Sequence, residues 1–284
     1  IGFDLDLTGF GKDEISELLG DTKLENWDND DEKRNLVDIF LVPPFSILDT
    51  RAGVWQERKK AWIEKGLRSD LGRDNEILGA GLKQISLKAG GFNSSNAGIS
   101  IFDPVLCEVL LKWFNVDNGS VLDCFAGGSV RGIVSEVLGH KYTGIDLRDE
   151  QIKANIENAR DFKVMPKWIC GDSVNIKDLV KNENGGEAFD MILSCPPYFN
   201  LERYSDLEND ISNMSWENFK RCYKDIIKNT CDLLKNNRFA VFVVGDLRDK
   251  QGIYLNFIDY TKQCFLDCGL CFYNDLILVN VVGT

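Results

Sequence analysis

The residues with the most distinctive chemistry are Ser194-Cys195-Pro196-Pro197-Tyr198, which follow the apolar residues 191–193. Neither proline has an N–H group, so a buried strand cannot continue its pairing through them. The simplest interpretation is a strand terminator. However, two prolines also form a rigid turn whose carbonyl groups are free to accept hydrogen bonds, and Tyr198 adds an aromatic face beside them. This combination suits the exocyclic amino group of a planar base, with Tyr198 stacked on the ring.

Three further segments that could bind a ligand each follow a short apolar run. Residues 123–132 are rich in glycine, which lets a backbone turn tightly and approach a ligand, but they lack the Lys-Ser or Lys-Thr pair of the phosphate-binding loop. Asp146 ends the second run, where a carboxylate can accept hydrogen bonds from both hydroxyls of a ribose. Asp172-Ser173 ends the third, where a carboxylate could meet an adenine amino group. Each feature alone is more simply a packing or capping feature, but together they predict an adenosine-type cofactor.

Alternating strands and helices must position these segments. The apolar runs predict strands at residues 121–125, 142–147, 167–170, 189–195, 238–245 and 270–280, with helices near 130–138, 149–160, 215–235 and 254–268. A further helix begins at Asp103-Pro104, with Asp103 as the N-cap and proline at the first helical position. This alternation predicts an α/β fold with a doubly wound parallel sheet, whose ligands bind beyond the carboxyl ends of the strands.

Composition and charge narrow the chemistry and the partners. With His140 as the single histidine, a multi-histidine metal site is excluded, and we expect no metal. No run of about 18 apolar residues occurs, so we expect no membrane partner. The nine cysteines are too few and too spread out for a disulfide framework, which favours a reducing, cytoplasmic setting. The net charge of −12 is uneven, because residues 1–40 hold 12 acidic and 4 basic residues. The basic residues Arg51, Arg58, Lys59 and Lys60 follow, and we expect them to contact phosphates.

Residues 101–280 resemble the class I S-adenosylmethionine-dependent methyltransferases, and among these the DNA amino-methyltransferases that modify adenine N6 or cytosine N4. The resemblance rests on the Gly-rich loop, on Asp146 and Asp172, on Phe102-Asp103-Pro104, and on Cys195-Pro196-Pro197-Tyr198, which resembles the family's (Asp/Asn/Ser)-Pro-Pro-(Tyr/Phe) motif. Residues 43–73, together with residues 125–132 and 194–198, more closely resemble phage- and prophage-type DNA modification methylases. Some of them carry a ParB-like module upstream. Residues 2–19 faintly resemble the end of such a module.

The resemblance implies a Rossmann-like fold, S-adenosylmethionine as the cofactor, and DNA as the partner, with the target base flipped out of the duplex. It also implies functional residues. For cofactor binding these are Phe102, Asp103, Asp123, Phe125, Ala126, Gly127, Gly128, Ser129, Asp146, Leu147, Asp172 and Ser173. For catalysis they are Ser194, Cys195, Pro196, Pro197 and Tyr198. Cys195 departs from the motif, and a thiol is a weaker acceptor than the usual residues, so Ser194 or the Pro196 carbonyl is expected to help.

We expect three parts along the chain. Residues 1–40 form an acidic extension, residues 41–100 a basic and then Gly/Ser/Asn-rich segment that could contact DNA, and residues 101–284 the catalytic domain. The family's sheet has one more strand after residue 280, so we expect the chain to continue. No insertion is large enough to require a target-recognition domain. A homodimer or a separate partner for DNA recognition therefore stays open.

Several alternatives remain beside this interpretation. Cys264, Cys268 and Cys271 have the spacing of an iron–sulfur cluster motif, but they fall on a predicted helix and strand, which favours buried structural thiols. Cys195 could be a cytosine-C5 nucleophile, but in that family the thiol follows the proline. A methyltransferase of RNA or of protein amides, and a non-catalytic DNA-binding protein with the same fold, are the remaining rivals.

Overall fold

The computed structural model describes residues 45–68, 102–184, 186–199, 204–249 and 251–279. The chain divides into two compact units, Ile1–Ser46 and Ile47–Thr284, and nearly all described residues belong to the second. The expectations for residues 1–40, for the Gly/Ser/Asn-rich segment and for any strand after residue 280 fall outside the described residues.

Helices and strands alternate along most of the described chain. In order they are β1 (Phe45–Asp49), α1 (Gly53–Glu64), α2 (Pro104–Phe114), β2 (Ser120–Asp123), α3 (Val130–Val137), β3 (Lys141–Asp146), α4 (Asp149–Asp161), β4 (Lys167–Cys170), α5 (Ile176–Asn184), β5 (Phe189–Ser194), α6 (Trp216–Cys231), β6 (Leu234–Phe242), α7 (Phe257–Asp267) and β7 (Asp275–Val279). Short 3-10 turns cover Ser173–Asn175 and Ile211–Asn213.

Five strands form one sheet in the order β4-β3-β2-β5-β6, and every neighbouring pair is parallel. The chain adds strands on one side of β2 and then crosses to its other side at β5. This reversal between β2 and β5 is the topological switch point, where ligands bind in open α/β sheets. The predicted Rossmann-like, doubly wound α/β fold is confirmed.

Successive residues of the central strand β2 point to opposite faces and join different cores. Val121 packs in the cluster that contains residues of α2, α3 and α4, whereas Leu122 packs with residues of α5, α6 and α7. The next central strand, β5, is buried along its whole length. The sheet is therefore covered on both faces. The loops that follow its parallel strands all begin at its carboxyl edge.

The predicted N-cap of α2 is confirmed. Asp103 Oδ1 accepts hydrogen bonds from the N–H groups of Val105 and Leu106 at 2.8 and 3.3 Å, and Pro104 is the first helical residue. A cap of this kind typically stabilises a helix by about 1 kcal/mol. It fixes where the chain enters α2, and so fixes Phe102 just before it.

Other boundaries differ from the prediction. The predicted helix 215–235 ends at Cys231, and β6 begins at Leu234 rather than at residue 238. The early part of β6 is polar because Lys235 and Arg238 both form ion pairs with Asp190, so it lacks the apolar signature of a strand. Strand β1 and helix α5 were not predicted. The last strand, β7, pairs with β1 in a separate two-stranded sheet.

The three cysteines with cluster-like spacing lie on different elements. Cys264 is buried within α7, Cys268 is the C-cap of that helix, and Cys271 is exposed beyond it. All nine cysteines are free thiols. Within the described ranges, none of the helices has the length and apolar character needed to span a membrane.

Candidate active site

A cleft that is partly open to solvent lies at the carboxyl ends of β2, β3, β4 and β5. It brings together most of the residues predicted for cofactor binding and catalysis. Those that line it are Phe102, Phe125, Gly127, Gly128, Asp146, Leu147, Asp172, Ser173, Cys195, Pro196, Pro197 and Tyr198. Residues from four strand ends and from the start of α2 therefore converge on one concave surface.

Asp146 lies at the end of β3 and joins two loops. Its Oδ2 accepts a hydrogen bond from the Gly127 N–H at 2.9 Å, and its Oδ1 accepts one from the Arg148 N–H at 2.8 Å. Burial raises the pKa of Asp146 above its ordinary value, although these two N–H donors oppose that effect. Each carboxylate oxygen keeps a second lone pair, so Asp146 can still accept hydrogen bonds from a ligand in the cleft.

Asp172 follows β4 and caps the short 3-10 turn. Its Oδ1 accepts a hydrogen bond from the Val174 N–H at 3.0 Å, while its Oδ2 accepts one from the side-chain amide of Asn209 at 3.0 Å. Asn209 thus presents an NH₂ group to the carboxylate that we predicted to meet an adenine amino group. The neighbouring Ser173 is buried, and its hydroxyl donates to the Cys124 carbonyl at 2.5 Å.

Asp123 does not line the cleft, which corrects its prediction as a cofactor contact. It is fully buried, and its carboxylate accepts hydrogen bonds from Arg131 Nε at 2.6 Å, from the Tyr142 hydroxyl at 2.7 Å and from the Ser194 hydroxyl at 2.6 Å. With three such donors it holds together the residues behind the Gly-rich loop. Asp123 is a positioning residue in this structure.

Three more predicted cofactor residues lie outside the cleft lining. Ala126 is fully buried, and its N–H donates to the Ile145 carbonyl at 2.9 Å. Ser129 is buried and its hydroxyl donates to Asn158 Oδ1 at 2.9 Å. Asp103 is occupied as the N-cap of α2. Each of these side chains shapes the loop or the helix that carries its neighbours, rather than facing the cleft.

The predicted catalytic turn, residues 194–198, has one residue buried in the interior and four residues that line the cleft. Ser194 is fully buried, with its hydroxyl bound to Asp123, and it is absent from the cleft lining. It therefore cannot be the additional acceptor that we expected beside Cys195. Cys195, Pro196, Pro197 and Tyr198 do line the cleft. The Tyr198 ring packs edge-on against Phe257, with the ring centroids 6.4 Å apart.

The four basic residues predicted to contact phosphates all form ion pairs with carboxylates of this chain. Arg58 binds Glu108 at 2.8 Å and Lys59 binds Asp103 at 3.0 Å, so both attach α1 to α2. The remaining pairs are Arg51 with Asp49 at 2.8 Å and Lys60 with Glu64 at 3.6 Å. Their positive charge is largely compensated here, and none of them lines the cleft.

Several lining residues were missed from the sequence. Arg131 lies within the Gly-rich segment 123–132, but it was not predicted to line the cleft. The feature that could have indicated this role is a cation in the first turn of the helix that follows the loop. Arg148 and Gln151 follow Asp146, and Arg148 Nη2 donates to Gln151 Oε1 at 2.7 Å. The connection between β5 and α6 contributes Tyr204, Ser205, Asn209, Asp210 and Ile211. No periodicity in that connection indicated which residues turn back toward the cleft.

No metal centre is evident in the parts of the chain that the structure describes, since no group of three or more His, Cys, Asp or Glu residues is placed to hold an ion. His140 is buried beside Asn115, with Nδ1 3.2 Å from the amide nitrogen. Burial lowers the pKa of His140. It does not line the cleft.

The chain is similar to a curated methyltransferase over part of its length. Over 150 residues the chain is 27% identical to the release factor glutamine methyltransferase of Fusobacterium nucleatum subsp. nucleatum, and the match covers 49% of this chain and 40% of that protein. The chain thus spans about two fifths of the length of this curated relative. No protein-family model matches the chain.

Solved structures of methyltransferases show a weaker likeness. A SAM-dependent methyltransferase from Agrobacterium tumefaciens has a TM-score of 0.39 and 16% identity, with 62% of this chain and 53% of that chain covered. A methyltransferase from Pyrococcus furiosus has a TM-score of 0.43 and 17% identity, with 66% and 83% covered. Likenesses of this size do not identify a substrate. The chain is thus similar, at 16–17% sequence identity, to proteins described as methyltransferases.

Proposed function

We propose that the protein is an S-adenosylmethionine-dependent methyltransferase that methylates an exocyclic amino group of a DNA base, adenine N6 or cytosine N4. The observation that carries the proposal is the shared cleft. Asp146 and Asp172, suited to an adenosine group, line the same cavity as Cys195-Pro196-Pro197-Tyr198, suited to a planar amino group. Cofactor and acceptor would therefore meet at the switch point of the sheet.

The residues of the cleft fit this cofactor. Asp146 has lone pairs available for ribose hydroxyls, and its two backbone hydrogen bonds fix the direction of the carboxylate. Asp172 already accepts a hydrogen bond from an NH₂ group, that of Asn209, so it can accept one from adenine. Phe102 and Leu147 add apolar surface to the same cavity. When bound, S-adenosylmethionine supplies an electrophilic methyl group on a sulfonium.

The catalytic turn would act by positioning. Because Ser194 is buried, the acceptors for the amino hydrogens reduce to the Pro196 carbonyl and Cys195. Accepting those hydrogens would draw the nitrogen lone pair out of conjugation and aim it at the methyl group. The C–N bond would form as the S–C bond of the sulfonium breaks, the surplus amino proton would pass to solvent in the partly open cleft, and no covalent bond to the enzyme would form. Tyr198 would stack on the flipped base, a contact worth about 1–3 kcal/mol. Correct orientation can supply much of the rate enhancement, so no catalytic histidine is needed.

The proposal for DNA does not depend on the predicted basic residues. Arg58 and Lys59 are both in ion pairs that join α1 to α2. The turn from Cys195 to Tyr198 supports a base as the methyl acceptor, because it presents an aromatic face next to two prolines. Recognition of the duplex, by this chain, by a second copy or by a separate partner, is a further part of the proposal.

A protein amide is the second candidate acceptor, and one observation favours it. A curated protein that the chain resembles, with 27% identity over 150 residues, is a release factor glutamine methyltransferase. The side-chain amide of glutamine is also a planar, conjugated NH₂ group, so the same turn could accept its hydrogens. Against it, methyltransferases of protein amides typically have Asn before Pro-Pro, whereas this chain has Cys195.

The experiment is a transfer assay with S-adenosylmethionine that carries a trideuterated methyl group. DNA, RNA and a glutamine-containing peptide are offered separately, and the products are digested and measured by mass spectrometry. We expect labelled N6-methyladenine or N4-methylcytosine from DNA. Label found only in the peptide or in RNA would replace the DNA assignment. Cofactor binding without transfer to any acceptor would support a non-catalytic DNA-binding protein.

A further inference from the structure

The connection between β6 and α7 forms a short hairpin beside the catalytic turn. It covers residues 246–256, and the structure describes all of them except residue 250. Arg248 on one side pairs with Tyr254 on the other in an antiparallel bridge. We propose that this hairpin binds the sugar–phosphate backbone of the acceptor DNA, with Arg248 as the phosphate ligand. The inference rests on the proposed function and adds a DNA contact to it.

The base of the hairpin is anchored in the core. Leu247 is buried and Leu255 is partly buried, and both pack with residues of α5, α6 and α7. The Leu255 N–H donates to the Leu247 carbonyl at 2.8 Å. Asp246 Oδ1 accepts a hydrogen bond at 2.9 Å from the N–H of Phe257, the first residue of α7. Residues 251–254 are exposed. The hairpin is therefore held at its base and presents its tip to solvent.

Both ends of the hairpin adjoin residues that contact Tyr198. Before the hairpin, the Val243 carbonyl accepts a hydrogen bond from the Tyr198 hydroxyl at 3.5 Å, and a Cβ atom added at Gly245 would lie 3.5 Å from the Tyr198 ring. After the hairpin, the Phe257 ring packs edge-on against that ring. Because β6 is parallel to β5, the hairpin and the catalytic turn follow the same edge of the sheet. At ~3.3 Å per residue, Arg248 lies within about 10 Å of Gly245, so the backbone of a base stacked on Tyr198 would be near it.

Arg248 is oriented by its neighbours but has no acidic partner. Its guanidinium carbon lies 3.7 Å from the centroid of the Tyr254 ring, a cation–π contact, and its Nη1 donates to the Gly252 carbonyl at 2.6 Å. Asp249, the next residue, accepts hydrogen bonds from two backbone N–H groups of the turn instead. In the part of the chain that the structure describes, no carboxylate forms an ion pair with Arg248. The exposed charge of Arg248 is therefore available to an anion.

The exposed groups of the hairpin suit a strand of nucleic acid. A guanidinium can bind phosphate oxygens through several N–H groups while one face stacks on an aromatic ring. Ile253 and Tyr254, 65% and 52% exposed, add apolar surface for a sugar or for the face of an unstacked base. The chain has a net charge of −12, so binding of a polyanion depends on cations that are not neutralised locally. Arg248 meets this condition, whereas Arg58 and Lys59 do not.

The test measures how DNA binding depends on salt. Fluorescence anisotropy follows a labelled duplex of random sequence at several salt concentrations, with S-adenosylhomocysteine present. Loss of one phosphate contact in Arg248→Gln should reduce the slope of log K against log[salt] by about 0.9 and weaken binding about tenfold at ~0.1 M salt. Arg248→Lys keeps the charge and should keep the slope. Tyr254→Leu removes only the ring under the guanidinium, so we expect about two- to fivefold weaker binding with the slope retained.

Arg221→Gln is the matched control. Arg221 on α6 is also exposed, lies outside the cleft lining, and its Nη2 donates to the uncharged side chain of Asn218 at 3.2 Å. Its replacement should leave the slope and the affinity as in the wild type. Equal losses in Arg221→Gln and Arg248→Gln would indicate a general effect of net charge and overturn the inference. Affinity for S-adenosylmethionine, measured by calorimetry, should be unchanged in Arg248→Gln, because Arg248 does not line the cleft.

The outcomes separate the hairpin from the proposed function. An unchanged slope in Arg248→Gln, with DNA bound and methylated by the wild type, would overturn the inference and leave the proposed function intact. If the wild type neither binds the duplex nor methylates DNA, both fail. If a glutamine peptide is the acceptor and Arg248→Gln raises the KM for that peptide, the hairpin binds protein and the DNA assignment is wrong. With DNA as the acceptor, we expect Arg248→Gln to raise the KM for DNA and to leave kcat unchanged.

Discussion

Ser194 Oγ donates a hydrogen bond to Asp123 Oδ1 at 2.6 Å and accepts one from the Phe125 N–H at 3.1 Å. These two bonds link the last residue of β5 to the loop that follows β2. Because Cys195 comes directly after Ser194, the start of the catalytic turn is fixed relative to the Gly-rich loop. The link therefore joins, beneath the cleft surface, the Gly-rich loop to the turn that begins at Cys195.

Removing this link should cost stability. In Ser194→Ala, a buried carboxylate loses one of its donors, and we expect the free energy of unfolding to fall by about 1.5–3 kcal/mol. The matched control is Ser173→Ala, whose hydroxyl is also buried but donates to a neutral carbonyl, that of Cys124. Its loss should be nearer ~1 kcal/mol. Urea unfolding measures both, and a Ser194→Ala loss no larger than that of Ser173→Ala would contradict a charge-assisted bond.

Asp146 should govern cofactor affinity. Asp146→Ala removes an acceptor for the ribose and also frees the Gly127 N–H, so we expect about ten- to a hundredfold weaker binding of S-adenosylmethionine. Calorimetry measures this on protein shown to be folded by circular dichroism. Asp149→Ala is the control, because Asp149 is exposed in the same turn and pairs with Lys153. Unchanged affinity in folded Asp146→Ala would remove Asp146 from the site.

Cys195 should serve as an acceptor rather than as a nucleophile. Serine is nearly the same size and accepts hydrogen bonds better, so Cys195→Ser should keep or increase the rate of methyl transfer to DNA. We also expect no covalent trapping by DNA that contains 5-fluorocytosine. Cys170→Ser, at an exposed thiol, is the control. An inactive but folded Cys195→Ser, together with a fluorocytosine adduct of the wild type, would favour cytosine-C5 chemistry.

Glu108 should determine part of the acid stability. Burial alone would raise the pKa of Glu108, but hydrogen bonds from Arg58, Lys112 and Trp62 outweigh it and lower the pKa to about 2. A carboxyl group whose pKa is lower in the folded state stabilises the protein above its unfolded pKa and loses that contribution as the pH falls. For Glu108 the window runs from its ordinary pKa of 4.5 down to about 2.

Glu108→Gln tests this window. Between these two pH values the wild-type free energy of unfolding should fall by roughly 3 kcal/mol more than that of the variant. Denaturant unfolding at several pH values measures the difference. Parallel curves for the two proteins would show that the ion pair between α1 and α2 contributes nothing to folding.

Much of the fold could be predicted because the inner strands are buried on both faces. All six residues of β5 are buried, and its apolar residues Phe189 and 191–193 indicate a strand that must end before Pro196. The start of β6 could not be predicted in the same way. Its polar residues Lys235 and Arg238 are explained only by Asp190 on the neighbouring strand, a pairing that the local sequence does not encode.

The cleft residues at strand ends were predictable because the buried strands before them have recognisable apolar residues. Their exact roles were not predictable. Ser194 and Asp123 have the residue types of a binding site, but each satisfies the other in the interior. Arg58 and Lys59 look like phosphate ligands until the carboxylates of Glu108 and Asp103 are seen beside them. Those partners lie more than forty residues away along the chain, so only the fold reveals them.

The most direct test of the proposed site is a crystal structure of the protein with S-adenosylhomocysteine. We expect the ribose hydroxyls to lie within hydrogen-bonding distance of Asp146, the adenine amino group near Asp172, and the sulfur facing the turn from Cys195 to Tyr198. Adenosine bound elsewhere on the chain, or bound in this cleft without contact to either carboxylate, would contradict the assignment.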